Sequence, residues 1–261
     1  NKIEDINGNI EFKGRKIVIA ATGDIEKKSV NFGLYYNMDE NAAKISVSGN
    51  NLSYKNLENY YLIKDAAINA EGNFEKVEAE IAINSKKEVS VVAKAESKEL
   101  KIYGESFKDI KVEAIINENS FSVDKLSFKY LDYEVANGKI KGAITKEGVN
   151  GKYELQNIKI PVNIYSANGN FNYSKKSQML SFSLNSGENI RANGKYSFNQ
   201  QILSMDSEVL EPLTLTYNNY LLVFSGKTQI EYDMMKDYMA VNLTFNSGCS
   251  TTYEGKNYLF E

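Results

Sequence analysis

Apolar residues recur at every second position along almost the whole chain. Ile17, Ile19 and Ala21 lead to Ile25; Phe32, Leu34, Tyr36 and Met38 follow, then Ala43, Ile45 and Val47. Val77, Ala79, Ile81 and Ile83 repeat the alternation, as do Val89, Val91, Ala93 and Ala95. Ile158, Ile160, Val162 and Ile164 carry it on, and Met239, Val241, Leu243 and Phe245 close it. A period of two puts these side chains on one face of a strand and the intervening Lys, Glu, Asn and Ser on the other. The nearest thing to a helical stretch, Leu52 to Ala67, is broken by polar residues and reads as strands and a turn. Turn chemistry separates the runs at Asn50-Asn51, Asn84-Ser85, Asn117-Glu118-Asn119 and Asn185-Ser186-Gly187. Such short connectors favour antiparallel neighbours in a meander. The expected fold is all-β, an antiparallel sheet of about 20 short strands. It is expected to run as a single continuous segment over residues 1–261 with no clear internal boundary. The two prolines, Pro161 and Pro212, are expected at an edge, a bulge or a strand start, because proline cannot donate to a ladder.

A second regularity lies on the first. The pattern apolar-x-Gly-x-apolar is centred on Gly8, Gly23, Gly72, Gly138, Gly151, Gly169 and Gly194, and again on Gly226 with Thr228 in the last apolar place. In each case the glycine falls in phase with the apolar face. A glycine there costs packing, but lets the strand bend or an opposing wall approach closely. Repetition of the device predicts a sheet folded along its length, with the apolar face concave. The last instance, Phe224-Ser225-Gly226-Lys227-Thr228, spells the end of a phosphate-binding loop. Such a loop needs another Gly five residues before the Gly-Lys pair and a helix after it. Leu221 stands at the first place, and Thr228, Ile230 and Tyr232 continue the period of two, so the segment reads as a strand.

Composition removes several function classes. The chain has no His, which excludes His-based triads, bases and metal ligands, and its one Cys, Cys249, excludes internal disulfides and Cys clusters. The net charge of −3, with Lys and Arg dispersed, argues against nucleic acid as the main partner. Lys86-Lys87 and Lys175-Lys176 read as solvated turns. No run of about 18 apolar residues is long enough to cross a membrane as a helix. Glu78 and Glu80 share an outward strand face and read as solvated rather than catalytic. No enzyme activity, cofactor or metal is expected.

Long alternating strands punctuated by apolar-x-Gly-x-apolar, without a catalytic motif, resemble the repeat region of TamB and its AsmA-like relatives in diderm bacteria. The resemblance covers essentially the whole chain. It implies a curled sheet, a β-taco or U-shaped groove lined by apolar side chains, and a parent protein anchored in the inner membrane and extending through the periplasm. It further implies phospholipid transport between inner and outer membrane, support of outer-membrane protein assembly, and an outer-membrane barrel partner such as TamA. On this reading the sequence is an internal or late fragment whose exposed end strands favour edge-to-edge self-association.

The face expected to line such a groove comprises Phe12, Ile25, Phe32, Ile45, Ile68, Phe74, Ile81, Val91, Val112 and Phe128, then Ile140, Ile160, Phe171, Phe182, Tyr196, Leu215, Ile230 and Leu243. Phospholipid acyl chains would gain about 0.8 kcal/mol for each CH₂ they bury there. The same residues could instead form a closed, dry core. An outer-membrane β-barrel and a secreted β-rich adhesin or scaffold are the competing readings. As a single sheet the strands would span about 95 Å, far longer than a compact body of this length.

Overall fold

The structure, a computed structural model, describes residues 3–55, 70–102, 104–131, 133–159, 166–217, 220–246, 248–253 and 256–259. They form 18 β-strands, and every pairing between them is antiparallel. Two compact units divide the chain, Asn1–Leu131 and Asp132–Glu261.

Unit 1 is a meander of β1 (Glu4–Lys13), β2 (Lys16–Ile25), β3 (Lys28–Asn37), β4 (Ala42–Ser53), β5 (Ala70–Ile83), β6 (Val89–Ile102), β7 (Glu105–Asn117) and β8 (Ser120–Tyr130). Each strand pairs with its sequence neighbours. Among the described residues β1 pairs only with β2 and β8 only with β7, so the sheet is open. The turns are tight: β2 and β3 are joined by Glu26 and Lys27, both at positive φ, the hairpin conformation that matches strand twist. Leu52 and Ser53 close β4, in keeping with the reading of Leu52–Ala67 as strands and a turn, and Tyr54 and Lys55 leave it in helical geometry. The remainder, with expected lining residue Ile68, lies outside the described residues.

Unit 2 comprises β9 (Tyr133–Ile144), β10 (Gly148–Lys159), β11 (Ser166–Ser174), β12 (Met179–Ser186), β13 (Ile190–Ser197), β14 (Ile202–Tyr217), β15 (Tyr220–Asp233), β16 (Tyr238–Phe245), β17 (Ser250–Tyr253) and β18 (Lys256–Leu259). The meander holds as far as β15. One side of that long strand is then shared, Gly226–Asp233 pairing with β16 and Tyr220–Val223 with β17. The segment that spells a phosphate loop is the middle of β15, as its alternation requires. Pro212 falls in the irregularity of β14 between Val209 and Leu213, where its missing N–H costs no ladder bond. Pro161 and Ile160 lie outside the described residues, and Leu215 is described only as backbone in β14.

Both sheets bend, and the bends leave a signature. Four strand residues sit in the left-handed region: Asp5 (φ 52°), Asn51 (φ 56°), Asp109 (φ 52°) and Asn157 (φ 54°). Asp5 and Asp109 coincide with register shifts, between Glu4 and Asn7 and between Lys108 and Lys111. In unit 1 these bulges lie near one end of the sheet, and there Ile25, Val30 and Leu52 form a buried cluster with Ile3, Phe32, Val47 and Val77 packed against it. Leu52, beyond the bulge, therefore folds back over the same face that carries Val30. Gly49 makes room: a β-carbon there would stand 2.9 Å from the Leu52 side chain. In unit 2 the buried apolar residues are Val135, Ala167, Ala192, Val209, Phe224 and Cys249.

Candidate functional site: the apolar sheet faces

The register lines the apolar residues up across the strands. In unit 1 one row reads Ile10, Ile19, Leu34, Ile45, Ile81, Val91, Ile116, Phe121, each paired with the next on the neighbouring strand. The next row reads Gly8, Ala21, Phe32, Val47, Ala79, Ala93, Ala114, Val123. A third reads Gly23, Val30, Gly49, Val77, Ala95, Val112, Leu126. Across β5, β6 and β7 the middle row is alanine throughout, whereas the row beside it is Ile81, Val91 and Ile116. Short side chains alongside longer ones leave a shallow furrow across β5, β6 and β7, which ends where Val47 and Phe32 fill the row on β4 and β3.

Within unit 1 the face is covered at the end where Leu52 turns back over Val30, with Ile3, Phe32, Val47 and Val77 packed against that cluster. Phe32, Ile45, Phe74, Ile81, Val91 and Val112, all expected lining residues, are half-buried, as are Ala79, Ala93 and Ala114. Ile25 is the one expected residue taken into the buried cluster. Phe128 is half-buried and packs edge-on to Phe107, ring centres 5.8 Å apart. Phe12, on edge strand β1, is 72% exposed. The alanine floor was missed as a site because alanine carries little hydrophobic signal, although its phase in the alternation marks the face.

The opposite face of unit 1 is largely polar and cross-linked by charge, with the pairs Val18–Tyr35 and Val92–Ile115 set among the charges. Lys44 reaches Glu80 at 2.7 Å, Lys125 reaches Glu113 at 3.1 Å and Lys129 reaches Asp109 at 2.7 Å. The Lys129 ammonium holds the Asp109 carboxyl below its usual range. These pairs are exposed and contribute little to stability, but they keep that face wet. Glu78 and Glu80 are among them, and Lys76 reaches Glu78 at 2.8 Å.

Unit 2 repeats the plan with larger rings. One row runs Ile144, Val149, Tyr173, Leu180, Tyr196, Leu203, Tyr232, Met239. Its neighbour runs Gly142, Gly151, Phe171, Phe182, Gly194, Met205, Ile230, Val241. The phenylalanines lie over the glycines: a β-carbon at Gly151 would stand 2.7 Å from the Phe171 ring, and one at Gly194 would run into Phe182. Tyr153 crosses Gly169 and donates to the backbone oxygen of Ser183 at 2.8 Å, and burial pushes its phenol pKa up. Ile140, Phe171, Phe182, Tyr196 and Ile230 are half-buried on this face, while Leu243, on β16, is 51% exposed.

The eight patterned glycines divide by what they do. Gly72 (φ 132°) and Gly226 (φ 142°) hold backbone conformations that a side chain resists. Gly8, Gly23, Gly151, Gly169 and Gly194 instead admit a close neighbour, and Gly138 is buried opposite Leu155.

The described hollows lie mainly against the polar face. One of about 590 Å³ is lined by Lys139, Lys141, Lys152, Glu154 and Asn170, with Gly151 and Phe171 among its other walls. Another of about 430 Å³ is lined by Arg191, Asp206, Glu208, Lys227 and Gln229. The apolar faces are surfaces and furrows, suited to a flexible ligand laid along them. Among the described residues no group of three or more His, Cys, Asp or Glu is placed to hold a metal, and no helix is long and apolar enough to cross a membrane. The chain is thus an open, all-antiparallel β protein with two-faced sheets. No family model, curated protein or solved structure matches it.

Proposed function

We propose that the apolar faces bind the acyl chains of phospholipids, and that the chain is a non-enzymatic segment of a periplasmic lipid conduit of the TamB and AsmA-like kind. On this reading the parent is anchored in the inner membrane of a diderm bacterium, and the segment serves phospholipid movement between membranes and outer-membrane assembly beside a barrel such as TamA. The observation that carries the reading is the row of half-exposed apolar side chains that continues across all eight strands of unit 1. Such a face is costly to leave bare in water, and neighbouring rungs are nearly equivalent, so a hydrocarbon chain can slide along it at little cost.

A fatty-acid series tests it. Each added CH₂ should tighten binding about two- to fourfold, the lower figure if one side of the chain stays in water. Ala93→Phe should fill the furrow and abolish binding while the fold survives, because an open face accepts a larger side chain where a closed core would be overpacked. Binding indifferent to chain length, or an Ala93→Phe variant that unfolds, would overturn the reading in favour of a closed core or no lipid site.

A further inference from the structure

Two hairpin tips of unit 2 carry exposed apolar side chains where turn chemistry is usually polar. Turns are ordinarily polar, as at Gly14-Arg15, Lys86-Lys87 and Glu118-Asn119 in unit 1, although Met38 is 39% exposed at the start of the β3–β4 tip. In unit 2 the tip between β13 and β14 begins with Phe198, 38% exposed, and that between β15 and β16 with Met234 and Met235, 43% and 71% exposed. These tips form one ledge. Lys175 N–H donates to Glu147 O, Phe198 N–H to Gln178 O and Met234 N–H to Gln201 O, at 2.9–3.0 Å, so each tip is tied to the next.

Aromatic rings stand behind the ledge. Phe198 packs edge-on to Tyr173 and Tyr196, ring centres 5.5 and 4.8 Å apart, and the Tyr196 hydroxyl donates weakly to the Met234 sulfur at 3.7 Å. Lys175 and Lys176 occupy the adjoining tip and are exposed. Apolar points in front, tyrosines one row behind and lysines at the flank are the order in which a bilayer changes from hydrocarbon to headgroup to water. The ledge is six strands wide, about 25 Å, and about one side chain deep. That is far short of the roughly 800 Å² per partner a stable protein interface needs, which favours a lipid surface over a second copy.

We infer that the β11–β16 hairpin tips form a membrane-docking rim, with Phe198, Met234 and Met235 entering the bilayer interface and Lys175 and Lys176 meeting anionic headgroups. The inference is separate from acyl binding by the sheet face: soluble fatty acids probe the face and vesicles probe the rim.

The chain has no tryptophan, so Met235→Trp creates a unique reporter. With vesicles of phosphatidylcholine containing a minority of phosphatidylglycerol, its emission should shift to the blue and be quenched by brominated acyl chains. Glu118→Trp, at the polar β7–β8 tip of unit 1, should do neither. Lys175→Gln with Lys176→Gln should weaken vesicle binding roughly tenfold and leave fatty-acid binding unchanged. No shift at Met235→Trp, or an equal shift at both tips, would overturn the rim. So would a concentration-dependent dimer that Met235→Asp dissolves, since the ledge would then be a self-contact.

Discussion

Cys249 is held against the backbone rather than set out to react. It is 1% exposed; its thiol donates to Ser225 O at 3.1 Å, and its sulfur accepts Ser225 N–H at 3.2 Å. These bonds fill the gap on β15 between the stretches that pair with β16 and with β17. Replacing Cys249 by Ala leaves the buried Ser225 N–H short of a partner, while Ser225 O keeps the Asn246 N–H at 2.9 Å, and should lower stability by about 1–3 kcal/mol in urea unfolding. The native thiol should resist alkylation until the chain unfolds. Ser97 does similar work in unit 1, donating to Asn73 O at 2.7 Å, as does Ser186 in unit 2, donating to Ser166 O at 2.7 Å. Tyr153 adds a pH dependence. Its phenol pKa is raised by burial, so the stability it lends is present below the ordinary value near 10.0 and is lost as pH rises through the higher folded value. Alkaline unfolding should therefore steepen above that point, and Tyr153→Phe should flatten it while lowering stability near neutrality. Identical alkaline profiles for the two proteins would contradict this role.

At the scale of the strand, alternation and turn residues were enough to read the strands and their antiparallel meander. The bends were only half legible. Glycine in phase with the apolar face marked sites of close approach, and Gly72 and Gly226 do adopt positive φ. Asp5, Asn51, Asp109 and Asn157 were not recognisable, because a polar residue within a strand looks like any outward side chain until its φ is known. Nor was the sharing of β15 by two short strands, since pairing partners depend on tertiary closure and not on local period. Asn51 offers a direct test. Asn51→Gly should be nearly neutral, whereas Asn51→Val, forced to positive φ with a branched side chain, should cost about 1–2 kcal/mol. Equal tolerance of both would mean that the bulge is not what turns Leu52 back over Val30.

For the whole molecule the central claim is that one face of each sheet stays available to hydrocarbon. The buried apolar residues described are few, among them Val30, Leu52 and Leu100 in unit 1 and Val135 and Val209 in unit 2, while the remaining rows are half-exposed. The sequence left an open furrow and a dry core undecided because both need the same alternation; what separates them is whether a second layer covers the face, and no periodicity encodes that. Neighbouring residues on β6 give the most direct measurement. Ala93 floors the furrow, and Lys94 lies on the other face, paired with Glu78 and Glu113. With a photoreactive side chain placed at either position and phospholipid supplied, mass spectrometry should find lipid adducts from position 93 and none from position 94. Adducts from both alike, or from neither while the strand remains folded, would contradict the account.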